Sequence, residues 1–191
     1  MTEPVDEVLR TRRLELVDSS GDLRAVLGVD QTEQPHLTLY GSDGEPRLTL
    51  VLSGDTSPQL TLTDARGEPR ALLELDADGN PRLGLFDDQG RIRLKLALSP
   101  EAADLICGLH LWDGQSRKSR AGFWVQGQGP QLALSGEDRN SLVSLTHYDG
   151  GPLLVIHDEG RRPRVIIGLT EDGTSGLSLL DEEGNRIWSA G

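Results

Sequence analysis

Apolar and polar residues alternate with a period of two along most of the chain, in short runs such as LTLY (Leu37–Tyr40), RLTLVL (Arg47–Leu52) and LTLT (Leu60–Thr63). That period predicts half-buried β-strands, with one face apolar and the other polar. Turns of the form D-x-x-G separate the runs. Aligned on the turn glycines, Gly21, Gly44, Gly67 and Gly90 stand 23 residues apart, and each is followed three positions later by an arginine: Arg24, Arg47, Arg70 and Arg93. Asp18, Asp64 and Asp87 precede the glycine by three, with Gly41 in the aspartate's place in the second unit. Leucines stand seven and five before it, giving the consensus L-x-L-x-D-x-x-G-x-x-R.

Beyond Ser99 the pattern persists in looser form as LHLWDGQSRKSR, LALSGEDRNSL, LVIHDEGRRPR and LSLLDEEGNRI, with the turn positions assigned to Gly160, Asp181 and Gly184. The chain therefore reads as about eight tandem two-strand units of 23 residues, an all-β repeat. Residues 1–13 are expected to form an amino-terminal cap or arm, 14–98 four regular repeats, and 109–191 four degenerate ones. Between the halves, residues 99–108 are expected to be a short helical or loop insertion, because Ser99, Pro100 and Glu101 suit the first turn of a helix. Aspartate closes an Asx-type turn on its own backbone, and glycine accepts the left-handed conformation that ends such a turn. Pro35, Pro58 and Pro81 fall where strands begin, where a missing N–H does least harm.

Register decides between two architectures. The second run of each unit places apolar residues four, six and eight after the glycine, as at Leu48, Leu50 and Leu52. A hairpin loop of four or six residues sets these on the same face as the leucines before the turn, whereas a three-residue loop sets them on opposite faces. The first case is an antiparallel hairpin array, propeller or shell. The second points instead to successive arcs of a β-solenoid. In either case one unit buries too few aliphatic side chains to offset the backbone entropy of its 23 residues, so neighbours must share a core. The leucine face then needs a cover: by curling of the sheet, by a second side of a solenoid, or by the same face of other copies.

Composition narrows the partners. The 191 residues carry a net charge of −12, which sets the chain against nucleic acid and anionic membrane surfaces as main partners. No apolar run approaches the length of a membrane span, and the first residues lack the apolar stretch of a secretory signal, so a cytoplasmic location is expected. Cys107 is the single cysteine; it forms no intrachain disulfide and is expected to be a small buried residue.

Candidate chemistry is sparse. The four histidines show no zinc spacing, and neither a nucleophile elbow nor a phosphate loop is present, so no cofactor, metal or catalytic residue is assigned. The segments Asp76–Asn80 and Thr170–Gly176 place carboxylates near glycine but lack the spacing of a calcium loop, and read as Asp-Gly turns. Asp and Arg recurring in nearly every unit read as cross-turn ion pairs. A candidate interaction strip comprises Tyr40, Phe86 and Trp112, four positions before the turn glycine, together with Phe123 and Trp124 in the least regular unit. Such a strip suits a protein partner or a glycan.

The period and the D-x-x-G turn resemble the YD repeats of Rhs-type shells, and the hairpin length is similar to that of MORN repeats; the aromatic and glycine positions that define those families are absent, and the chain is assigned to neither. The resemblance implies a shell, scaffold or binding surface rather than a catalyst. The expectation is a non-enzymatic structural or assembly protein that forms homo-oligomers or joins a larger assembly, with a carbohydrate- or protein-binding module as the alternative.

Overall fold

A computed structural model describes residues 8–53, 57–101, 104–114, 119–126, 129–136, 142–148, 151–169 and 172–191. The chain is all-β and divides into two compact units, Met1–Gly79 and Asn80–Gly191. The first holds β1 (Arg13–Val17), β2 (Leu23–Val29), β3 (Pro35–Tyr40), β4 (Pro46–Ser53), β5 (Ser57–Thr63) and β6 (Pro69–Leu75). The second holds β7 (Pro81–Phe86), β8 (Ile92–Glu101), β9 (Asp104–Trp112), β10 (Ser119–Gln126), β11 (Gly129–Ser135), β12 (Leu142–Tyr148), β13 (Gly151–His157), β14 (Pro163–Leu169), β15 (Ser175–Leu180) and β16 (Arg186–Ala190). In each unit the strand order is the order of the chain and every pairing is antiparallel, an up-and-down meander of hairpins. Hairpin pairing excludes the solenoid alternative.

The hairpin of β5 and β6 explains how this is reconciled with a short loop. Asp64 N–H donates to the Glu68 carbonyl at 2.9 Å and Gly67 N–H to the Asp64 carbonyl at 3.1 Å, which closes a loop of three residues, Ala65 to Gly67. Thr63 stands opposite Pro69, but Leu62 stands opposite Ala71, so Arg70 is an extra residue in β6. This β-bulge shifts the register by one and returns Ala71 and Leu73 to the face of Leu62 and Leu60. The expected consequence of a three-residue loop, opposite faces, is thus cancelled within two residues of the turn. The same shift falls at Arg24, Arg47, Arg93, Arg120 and Arg164, and at Ile187 in the last hairpin. The consensus arginine is the bulged residue.

The connection between the first and second repeats uses the same turn. Asp30 N–H donates to Gln34 and Glu33 N–H to Asp30, with Glu33 at φ 63° in the glycine's place. No bulge follows, and Leu27 pairs directly with Leu37.

Two expectations about segments are revised. Residues 99–101 and 104–108 continue β8 and β9, pairing Leu98 with Cys107 and Glu101 with Asp104; strand pairing overrides the local helix signals. Residues 102–103 lie outside the described residues. In the seventh repeat the left-handed residue is Arg161, at φ 61°, not Gly160: Arg161 N–H donates to the Asp158 carbonyl, and the bulge arginine is Arg164. Residues 8–11 carry no regular structure and β1 begins at Arg13; the rest of the expected amino-terminal cap lies outside the described residues. So do residues 115–118 and 137–141.

Candidate interaction surfaces

Because every hairpin keeps its leucines in register, each unit has one face composed of them. In the first unit, rows such as Leu16–Ala25–Leu39–Leu48–Leu62–Ala71 cross the strands. In the second, Leu85–Leu94–Leu111–Ala121–Leu134–Val143–Ile156–Val165–Leu179–Trp188 does the same. Apart from Ala25, these side chains are partly or largely open. Leu27 is 56% exposed, Leu134 50%, Phe123 50% and Leu145 49%, and among the described residues only Ala25 and Val26 are buried apolar side chains. No Asp, Glu, Lys or Arg occupies a paired position on this face among the described residues. Cys107, opposite Leu98 and Val125, lies on it and is exposed, contrary to its expected burial: a strand position that would be core in a two-layer fold is surface in a single layer.

The turns form a polar rim. Asp64 Oδ1 accepts the N–H groups of Arg66 and Glu68 at 2.8 and 3.1 Å, while Oδ2 accepts Arg70 Nε and Nη2 at 2.8 and 2.5 Å. Burial pushes the Asp64 carboxyl up, but those backbone N–H groups and the guanidinium outweigh it and hold it down at about 2. Asp87 is likewise lowered to about 2, against the same opposing effect of burial, by Arg91 and Gln89 N–H and then the side chains of Arg91 and Arg93. Arg24, Arg120 and Arg164 pair with Asp18, Asp113 and Asp158 in the same way. With Gly41 in the aspartate's place, Arg47 turns to Asp43. The bulge arginines also reach the next turn: Arg24 Nη1 donates to the Gly41 carbonyl at 2.7 Å, Arg47 Nη1 to Asp64 at 3.1 Å, and Arg164 Nε to Leu180 at 2.9 Å. These residues are fully engaged in the scaffold. At Asp181 the partner is Asn185, with Gly184 left-handed at φ 85°. Asp76 accepts Asp78 N–H and Gly79 is left-handed at φ 82°, the turn geometry of the hairpins.

The candidate strip divides between the faces. Tyr40 pairs with Pro46, Phe86 with Ile92 and Trp112 with Ser119, all beside bulges on the face opposite the leucines. Phe123, between Leu109 and Leu132, is on the leucine face, whereas Trp124, between Gly108 and Gln131, is on the other. Adjacent strand residues necessarily point apart, so Phe123 and Trp124 do not act together. On the second unit's polar face, Trp124 stacks on His110 with ring centroids 5.7 Å apart and planes 12° from parallel. Its ring lies over Gly122, where a Cβ would meet Trp124 Cζ3 at 2.7 Å. Burial, and then the charge of Lys95, lowers the His110 pKa. His110, Ser119, Gly122, Trp124, Ser135 and Arg161 border a shallow pocket of 230 Å³. Sequence reasoning missed the stack; its signal was the pair of strand glycines, Gly108 and Gly122, beside a tryptophan. Among the described residues no group of three or more His, Cys, Asp or Glu is placed to hold a metal ion.

No protein-family model and no curated protein matches the chain.

Proposed function

We propose that the protein is a non-enzymatic structural or assembly component, a β-repeat array that works by associating with itself or within a larger complex. The observation that carries this reading is the uncovered, uncharged leucine face. Soluble monomers rarely expose apolar patches of more than a few hundred Å², and larger ones mark interaction surfaces. The repeated aspartates and arginines, which catalysis would need free, are bound to their own turns. A dye that fluoresces on apolar surfaces tests it: the native protein leaves the dye dark while unassembled protein lights it. A folded monomer that leaves the dye dark, its leucine face thus covered within one chain, overturns the reading.

A second reading, a carbohydrate-binding module, draws on the Trp124–His110 stack beside Ser119, Ser135 and Arg161, an aromatic platform ringed by polar groups. Glycan-array binding that is lost in Trp124→Ala supports it. Absence of any glycan binding by the wild type overturns it.

A further inference from the structure

Resting on the self-association reading, we infer that the leucine face of each chain is covered by the leucine face of a second copy, two sheets packed face to face. The chain exposes 13170 Å², whereas a compact monomer of its 20.7 kDa mass exposes about 8,900 Å². The excess, about 4,000 Å² per chain, is more than the roughly 1,000–2,500 Å² that each partner of an obligate dimer buries, so one apolar face is enough for a stable pair. The second unit alone supplies ten strands; at about 4.8 Å per strand and about 20 Å of strand length, its face covers roughly 1,000 Å², a standard interface side.

Three features select a second copy over an unrelated partner. Exposed apolar side chains occur on strand after strand in each unit, so the occupant must itself present a repeated apolar surface of equal breadth, and this chain carries one. The rows have sheet spacing, and a second sheet with the same spacing interdigitates with them at about 10 Å separation. The net charge of −12 does not oppose the contact, because among the described paired strand residues the carboxylates stand on the opposite face, as at Glu15 and Glu74, and the repeated aspartates stand at the turns. Packing in this sense leaves the Trp124–His110 face outward on both chains.

Cys107 is a native reporter, since it sits on the leucine face and is exposed in the single chain. The experiment follows its modification by a thiol reagent, together with mass by light scattering, in the wild type, in Leu132→Asp/Leu145→Asp, and in Ser144→Asp on the opposite face as control. The wild type and Ser144→Asp are expected as two-chain particles whose Cys107 reacts about tenfold or more slowly than in urea. The double variant is expected as a monomer with its strand circular dichroism retained and Cys107 open. Should that variant fail to fold, dilution of the wild type serves instead: Cys107 reactivity rises as dimers dissociate. A two-chain particle with Cys107 as reactive as in urea, or a particle of three chains, overturns face-to-face pairing and leaves self-association standing. A monomer at all concentrations overturns both.

Discussion

Deleting Arg70 should do less harm than deleting its neighbour Ala71, although arginine makes the polar contacts and alanine makes none. Without Arg70 the three-residue loop and the Thr63–Pro69 pair lead straight to Leu62 opposite Ala71 and Leu60 opposite Leu73, so the leucine face survives. Without Ala71 the chain has two choices. It keeps the bulge, and Leu73 and Leu75 move to the polar face while Leu72 and the charged Glu74 take their place on the apolar one; or it drops the bulge, and the Arg70 charge stands beside Leu62 on the apolar one. Leu73 is 48% exposed and Leu75 part-buried. Full burial of a leucine is worth about 1.5–3 kcal/mol, so half-burial of two puts the first choice at about 1.5–3 kcal/mol. The second choice sets a charge into the surface that packs in the assembly, which costs a similar amount or more. Urea unfolding at one fixed protein concentration reads a difference of about 2 kcal/mol as a midpoint lower by about 1 M for the Ala71 deletion. Equal midpoints, or a lower one for the Arg70 deletion, would refute the role given to the bulge.

Other consequences concern the turns and the polar face. At Gly67 nothing lies within 4 Å of where a Cβ would stand, so only its φ of +82° selects glycine; Gly67→Ala is expected to cost about 1 kcal/mol net in thermal unfolding, left-handed strain of about 1–2 less an unfolded-state gain of about 0.4–1. Arg161→Gly, relieving φ 61°, should shift stability the other way by up to about 1 kcal/mol. Asp64 and Asp87 have folded pKa values of about 2, below the ordinary 3.8. Their contribution is therefore full above pH 4 or so and is lost as pH falls through about 2; melting temperature against pH should slope less steeply in that window for Asp64→Asn. Gly122→Ala would drive a methyl against Trp124 Cζ3, so it is expected to break the stack on His110, altering near-ultraviolet circular dichroism, with a stability loss of about 1–3 kcal/mol.

Strands and turns were largely legible because both are local. Alternation gives strands, Asp and Gly three apart give the turn, and Gly21, Gly44, Gly67, Gly90 and Gly184 are left-handed as the turn requires. The bulge was not legible, since nothing in E-P-R-A-L distinguishes an unpaired arginine from a paired one until loop length is known. Fixed loop length and fixed face together demand one extra residue, and that is the constraint the sequence reading met as a choice between hairpin and solenoid. At Asp158 the nearest glycine was a false guide: Asp and Arg six apart mark the turn there, and Arg161 takes the strained place. The 99–108 segment misled because capping signals are weak against a strand pairing that extends along both sides. Phe123 and Trp124 were grouped as neighbours in sequence, although alternation alone sets them on opposite faces.

Sedimentation equilibrium of the intact protein over a wide concentration range tests the central claim most directly. Two chains of 20.7 kDa closing their leucine faces on each other predict a mass of about 41 kDa that falls only on extreme dilution. A folded particle of 20.7 kDa at every concentration would contradict it.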